Sequence, residues 1–354
     1  MPRTPQIVLA TLTPNPALDL SGQVSSLIPN EKNSVHEERR DPGGNGINAG
    51  RIAARLGIRP VLLGFLGGAV GSQLLEALKR EGLAARFTPI QGETRVNVTV
   101  TRKDTHQQTR LSFAGPRVRP SEIRALLNEV DQIPSPALLI LGGSLPPGCP
   151  GDFLARIGSR ASERGIGVIL DAPASVLTPA LRRFRPLLIK PNRTELEALV
   201  GTSLPTVESV AAAACHLTER ATLVCVSLGA DGALLAFRPE PGNPNAVAWQ
   251  LLSPKVRARG TVGAGDSLVG GFASELVRHG IASETALFAS FSKERKPHGP
   301  NRRPVLPRIL EAALRTGMAA GAATAATLGT GLGRKPEILR LKPKVRVARS
   351  FLEC

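Results

Sequence analysis

The sequence predicts an α/β fold, a mostly parallel sheet flanked by helices, with a small β-sheet lid. Three observations carry this. Short, near-continuously apolar runs alternate with stretches of helical periodicity, as in sheets covered on both faces. Glycine-rich turns follow several of those runs. Two segments, 20–41 and 94–114, break the rhythm.

The first core strand is expected at 7–11, and TPNPALD continues as extended chain ending at Asp19. Residues 20–41 are polar and turn-rich. A helix at 45–56 opens on GGNGINAG, followed by a strand at 61–65 (VLLGF) and a helix at 72–81. Residues 95–113, RVNVTVTRKDTHQQTRLSF, alternate polar with β-branched positions, which describes a strand solvated on one side. Together with 20–41 they form the predicted lid. Beyond it, strands are expected at 138–141, 167–170, 187–190 and 223–227. Helices are expected at 120–130, 152–164, 193–200, 207–219, 265–278 and 307–327. The stretch 292–307, SKERKPHGPNRRPVLP, is basic and proline-rich and reads as an exposed, mobile insertion. No internal repeat is present.

Composition excludes several classes. The 354 residues are 42% hydrophobic, enough for a sizeable core and against bulk disorder. No run of eighteen apolar residues occurs, so no membrane span is expected, and the N-terminus lacks the pattern of a signal peptide. Cys149, Cys215, Cys225 and Cys354 have neither CxxC nor zinc spacing, which points to a reduced, cytoplasmic protein. A net charge of +17 favours an anionic partner without choosing one. Aromatics at 3%, with no tyrosine, argue against a single-strand nucleic-acid binder.

The motifs each have a chemical and a merely structural explanation. In TVGAGDS, Gly263, Ala264 and Gly265 can turn tightly and aim free N–H groups at one point, at a helix N-terminus that favours an anion. Asp266 in the first helical turn can then accept a proton from a hydroxyl beside that anion, a pairing suited to phosphoryl transfer. The same stretch also reads as an ordinary capped helix. GGNGINAG imitates a dinucleotide fingerprint, but no buried strand precedes it and no acidic residue ends the next strand. Its glycines allow either close approach to a polyol beside Asn48 or tight helix packing.

KPNRTE follows a buried strand and places Lys190 and Asn192 over the crevice where open α/β sheets bind ligands. Glu195 could hold hydrated Mg²⁺ near a phosphate chain, or simply complete a capping box with Asn192. SLGADG, from Ser227, is a nucleotide ledge or a plain turn. GGSLPPG presents Ser144 to the same crevice, and Asp19 and Arg95 complete the inward polar set. No GxxxxGK[ST], HRD or DFG occurs, which removes P-loop NTPases and protein kinases.

In this order, TLTPNPALD, GGNGIN, GETRVN, GGSLPPG, KPNRTE, SLGADGALL and TVGAGDS resemble the PfkB/ribokinase-like carbohydrate kinases, in particular the phosphofructokinase and tagatose-6-phosphate kinase branch. The resemblance spans nearly the whole chain, and the tail RKPEILRLKPKVRV is similar to the family's closing helix and strand. It implies a single ribokinase-like domain over 1–354, with a Rossmann-like core and lid segments at 20–41 and 94–114. The activity it implies is ATP-dependent phosphorylation of a hexose phosphate, with Mg²⁺.

By that resemblance Asp266 is the base, and the amides of Gly263, Ala264 and Gly265 hold the moving phosphoryl. Lys190, Asn192 and Glu195 serve the ATP phosphates and Mg²⁺, with Ser227, Gly229 and Gly321 near the nucleotide. Asp19, Gly43, Gly44, Asn48 and Ser144 bind the sugar, and Lys32, Arg95 and Asn97 reach it from the lid. This chain carries Asn45 where many relatives have the lysine of GGKGIN, and Ser34 where others have a lid arginine; the insertion is a third departure. The product expected is a hexose bisphosphate, foremost fructose 1,6-bisphosphate. The partners expected are ATP and a sugar phosphate, with no membrane and no nucleic acid, and with a homodimer through the lid edges. The rival activities are a tagatose-6-phosphate kinase, a same-fold kinase for an unphosphorylated sugar or nucleoside, and a nucleic-acid-binding protein.

Overall fold

The computed structural model describes residues 7–352 except 106, 241, 244 and 295–305. Among these, seven parallel strands run side by side in the order β5 (Ala84–Pro89), β4 (Pro60–Leu66), β1 (Val8–Thr13), β8 (Ala137–Gly142), β9 (Gly167–Asp171), β10 (Leu188–Ile189) and β11 (Leu223–Ser227). Strands β12 (Ala233–Phe237), β13 (Val247–Leu252) and β14 (Arg346–Leu352) extend the sheet antiparallel beyond β11.

Alternate side chains of each central strand feed two separate cores. Leu139 and Leu141 of β8 pack under α3 (Pro120–Asp131), α4 (Phe153–Glu163), α5 (Ala174–Arg183), α6 (Arg193–Val200) and α7 (Val207–Leu217). Leu138 and Ile140 face α1 (Asn45–Arg55), α8 (Ala264–Arg278), α10 (Arg308–Ala325) and α11 (Lys335–Leu341). Both faces are therefore dry, which is why these strands are written as unbroken apolar runs. Helix α2 (Gly68–Arg80) covers the β4–β5 end of the sheet, and α9 (Glu284–Glu294) adds Leu287 and Phe291 to the second core.

All six expected core strands are present. The sequence reading missed α5, whose interior Pro179 reads as a helix breaker, and β5, a half-exposed edge strand without an apolar run. It also placed no element at β12, β13 or α9. The expected insertion 292–307 is corrected at its ends: Ser292 lies in α9, Leu306 is buried, and Pro307 caps α10. The rest of it, 295–305, lies outside the described residues.

The lid is a separate sheet of order β3-β2-β6-β7, formed by β2 (Ala17–Val24), β3 (His36–Gly43), β6 (Arg95–Arg102) and β7 (Gln108–Leu111). Asp19 is thus the third residue of β2, not the end of a strand. Register divides the sheet into two faces. Asp19, Ser21, Asn97, Thr99 and Thr101 share one face and are buried. Leu20, Val96, Val98 and Val100 share the other and are only half-buried, and Leu111 beside Val98 is exposed. The alternation in β6 is real, but the polar side is the one turned inward. Among the described residues no helix is long and apolar enough to cross a membrane.

Candidate active site

The carboxyl ends of the parallel strands converge under the lid. Thr13 ends β1, Gly143 follows β8, Asp171 ends β9, Lys190 follows β10 and Ser227 ends β11. Loops at this edge carry no sheet partners, so polar side chains there can face a crevice.

The first half of the site is the N-terminus of α8. Gly263 caps it with φ 76°, a left-handed conformation that glycine adopts without penalty, and a side chain there would sit 2.9 Å from Leu332. Ser267 Oγ donates to the Gly263 carbonyl at 2.7 Å and lies 2.8 Å from Thr324 Oγ1 on α10, which pins the turn. The Ala264 N–H is bonded to the Thr261 carbonyl at 3.2 Å. The N–H groups that open an α-helix have no partner within the helix, so those of Gly265 and Asp266 point onward from this end.

Asp266 is half-buried, and Asn48 Nδ2 donates to its Oδ2 at 2.8 Å. Burial, reinforced by the neighbouring Asp171 charge, pushes its carboxyl up to about 7, against the opposing pull of Asn48 and Lys190. Lys190 is buried and lies 3.1 Å from Asp171 Oδ1, and its Nζ is 3.3 Å from where a Cβ of Gly265 would be. Burial works against its charge, but Asp171, Glu195 and Asp266 together hold the ammonium above its ordinary value. Asn45 Nδ2 reaches Asp171 Oδ2 at 3.4 Å from the other side.

The second half is a cavity of about 240 Å³ between lid and sheet. Its lining includes the expected Gly44, Arg95, Asn97, Ser144 and Glu195, together with Asn45, Asp171 and Arg110. Asp19 accepts from Asn97 Nδ2 at 2.9 Å, and a Cβ on Gly43 would fall 2.1 Å from Asp19 Oδ2, so only glycine lets that carboxylate lie against the strand. Burial raises the Asp19 pKa, moderated by Asn97, Arg110 and Arg95.

Arg95 is anchored rather than free: it donates to the Phe113 carbonyl at 2.6 Å and the Asn15 carbonyl at 2.7 Å, and reaches Ser144 Oγ at 3.4 Å. Arg110 is paired in register with Thr99, on the inward face, and its side chain makes no hydrogen bond or ion pair with a described residue. The cation most available to a ligand here is therefore one the sequence reading did not select.

Other expected residues are placed differently. Lys32 is exposed in the loop between β2 and β3 and does not line the cavity. Asn192 and Glu195 form a reciprocal capping box on α6, with Asn192 N–H donating to Glu195 Oε2 at 2.8 Å; Glu195 Oε1 is left over at the cavity. Ser227 bridges to Asn192, and its N–H donates to the Pro191 carbonyl at 3.0 Å. Gly229 opens a turn with free space where a side chain would be, and Gly321 packs against the Ala264 carbonyl, 3.0 Å from its would-be Cβ. The GxGxxA match resolves partly as packing, since Gly46 sits against the Leu12 carbonyl.

Asp171 escaped the sequence reading because the strand was ended one residue short. Arg110 escaped it because a lone arginine in an alternating strand resembles solvated surface; its place one residue before Leu111, and so on the opposite face of β7, was the available signal. Among the described residues no group of three or more His, Cys, Asp or Glu side chains could hold a metal by itself. A single carboxylate with one free oxygen does fit Mg²⁺, which keeps waters and binds through substrate phosphates.

Three comparisons bear on this arrangement. A family model described as pfkB family carbohydrate kinase matches residues 15–337. A 1-phosphofructokinase of Bacillus subtilis (strain 168) is 30% identical over 97% of this chain and 100% of its own length. The ATP-dependent 6-phosphofructokinase isozyme 2 of Escherichia coli (strain K12) is 34% identical over 78% of this chain and 91% of its own. The solved structure of phosphofructokinase-2 from Escherichia coli superposes with a TM-score of 0.82 at 30% identity, covering 95% of this chain and 99% of that one.

Proposed function

Because the chain belongs to the pfkB family of carbohydrate kinases, we propose that it transfers the γ-phosphoryl of ATP to a fructose phosphate, the 6- or the 1-phosphate, giving fructose 1,6-bisphosphate in either case. The observation that carries the reading is Asp266: a half-buried carboxylate, raised to about 7, one hydrogen bond from Asn48, at the N-terminus of α8. A base with that pKa is matched to its task at neutral pH.

In this reading Asp266 takes the proton of the acceptor hydroxyl as its oxygen forms a bond to the γ-phosphorus. The bond from that phosphorus to the bridging oxygen breaks, and ADP leaves. The free amides of the Gly263–Asp266 turn and the Lys190 ammonium stabilise the charge on the moving phosphoryl, whereas the Ala264 N–H, expected to join them, is engaged by the Thr261 carbonyl. Asn48 orients Asp266. Asp19, Asn97, Ser144 and the backbone at Gly43 and Gly44 hold the sugar, and Arg95 and Arg110 face its phosphate. Lys190, Asn192, Ser227, Gly229 and Gly321 would flank the nucleotide. Glu195 would hold Mg²⁺, which neutralises phosphate charge when bound. The lid excludes water, which would otherwise compete for the phosphoryl.

The same reading takes 1–354 as one kinase domain and keeps it in the cytoplasm, where Cys149, Cys215 and Cys225 stay as free thiols. A homodimer would cover the half-exposed Val96, Val98, Val100 and Leu111 face of the lid, and would be the means by which a loop bearing Lys32 reaches a second active site.

ATP consumption with Mg²⁺ against fructose 6-phosphate, fructose 1-phosphate, tagatose 6-phosphate, free fructose and a nucleoside, side by side, tests the proposal. Preference for a fructose phosphate supports it; turnover only with an unphosphorylated acceptor overturns it.

A further inference from the structure

The lid and the α8 turn are joined by a route that passes through neither substrate pocket. Asp41, near the end of β3, is the cross-strand partner of Asp19. It is buried, and its Oδ2 accepts from Thr330 Oγ1 at 2.9 Å. Its Oδ1 lies 3.7 Å from Arg51, a buried guanidinium that also bonds the Pro42 carbonyl at 3.0 Å and Glu81 at 2.6 Å. Thr330 in addition reaches Ser21 Oγ on β2 at 3.4 Å.

Thr330 sits in the loop between α10 and α11, and that loop grips the other half of the site. Leu332 packs where a Gly263 side chain would be, and Gly333 N–H donates to Thr324 Oγ1 at 2.9 Å. Thr324 Oγ1 is in turn bonded to Ser267 Oγ, which holds the Gly263 carbonyl. Arg55 fastens the same loop to α1 through the Leu332 and Gly333 carbonyls, at 2.6 and 2.9 Å. Contacts thus run without a gap from the strand that carries Gly43 to the turn that begins at Gly263.

We infer that Thr330 is a positioning residue, coupling lid strand β3 through the Asp41 hydrogen bond to the Gly263–Asp266 turn, so that the phosphoryl-holding amides are set only when the lid is seated. The buried Asp41 carboxylate has a reason to hold Thr330, since an unpaired buried oxygen is costly. The chain of contacts is the physical link such coupling requires. The inference rests on the phosphoryl-transfer reading of that turn, but it can fail separately from it.

The test compares Thr330→Val, which keeps the shape and removes the donor, with Thr330→Ser, which keeps the donor. In the full-length protein, Thr330→Val should lower fructose-phosphate turnover about tenfold and leave acceptor-independent ATP hydrolysis within about twofold, while Thr330→Ser restores the wild-type ratio. A purely structural defect would lower both activities together. Amide hydrogen exchange gives a second measurement that needs no turnover: residues 263–267 should exchange faster in Thr330→Val than in Thr330→Ser, with other segments of α8 unchanged. An unchanged ratio together with unchanged exchange at 263–267 overturns the inference, as does a Thr330→Ser variant as impaired as Thr330→Val. A wild-type protein inactive on every fructose phosphate would count against the proposed function instead, and the exchange comparison would still decide the coupling.

Discussion

Asn48 Nδ2 lies 2.8 Å from Asp266 Oδ2, although the two residues are 218 positions apart. The bond orients the carboxylate from a neutral donor, so the oxygen on the far side keeps its basicity. A lysine in place of Asn48 would lower the pKa of Asp266 far more and weaken it as a base. The helix that supplies Asn48 also supplies the Asn45 side chain that holds Asp171, so one helical turn orders both carboxylates of the centre.

Replacing Asp266 with Asn should lower kcat by about 10²–10⁴-fold, the usual contribution of a positioned general base. ATP affinity should change little, because Asp266 is not needed for nucleotide contacts. Steady-state kinetics with an independent ATP titration measures both; a variant of normal turnover would remove Asp266 from the reaction.

The base must be ionised to act, and its pKa is raised to about 7. Activity should therefore rise with pH and level off above about 7. Removing the Asp171 charge lowers the pKa of Asp266 by two routes: a like charge is lost, and Lys190 is released from its partner. Asp171→Asn should move the acid limb of the kcat/KM profile to lower pH while reducing its plateau. A limb that stays in place would mean that another group titrates.

Arg110→Ala should raise KM for the phosphorylated acceptor by roughly tenfold or more, the worth of a charge-assisted hydrogen bond, with melting temperature unchanged. Arg95→Ala should also lose stability, because it leaves the Asn15 and Phe113 carbonyls without this partner. Parallel kinetics and thermal melts on the two variants separate binding from anchoring. Equal melting losses would refute the distinction.

Glu195→Gln retains an oxygen for the Asn192 N–H, so the α6 cap and the melting temperature should survive. The Mg²⁺ concentration for half-maximal activity should rise several-fold if the free oxygen serves the metal. An unchanged Mg²⁺ curve would leave Glu195 as a cap alone.

Gly43→Ala puts a methyl group within 2.1 Å of Asp19 Oδ2 and must displace that carboxylate. Acceptor KM should rise sharply, with ATP KM unaffected. If acceptor KM is unaltered, the sugar does not depend on Asp19.

The amino-acid sequence by itself determined the central sheet and the order of the motifs. A strand buried on both faces, such as Leu138–Leu141 in β8, can only be written as an apolar run, and a turn at a strand end as glycines and caps. Asp266, Lys190 and Asn48 were legible as chemistry-bearing residues for the same local reason. Tertiary structure alone decided which of these side chains meet and which cation faces the cavity. Arg110 and Arg95 are both arginines beside β-branched residues, and only register shows that one lies on the inward face, while only long-range carbonyls show that the other is already engaged. The fate of Lys32 and the link from Asp41 to Thr330 depend on chain segments far apart in sequence, so no local pattern encodes them. Basicity, burial and pairing are properties of a packed neighbourhood, and they exist only after the chain has folded.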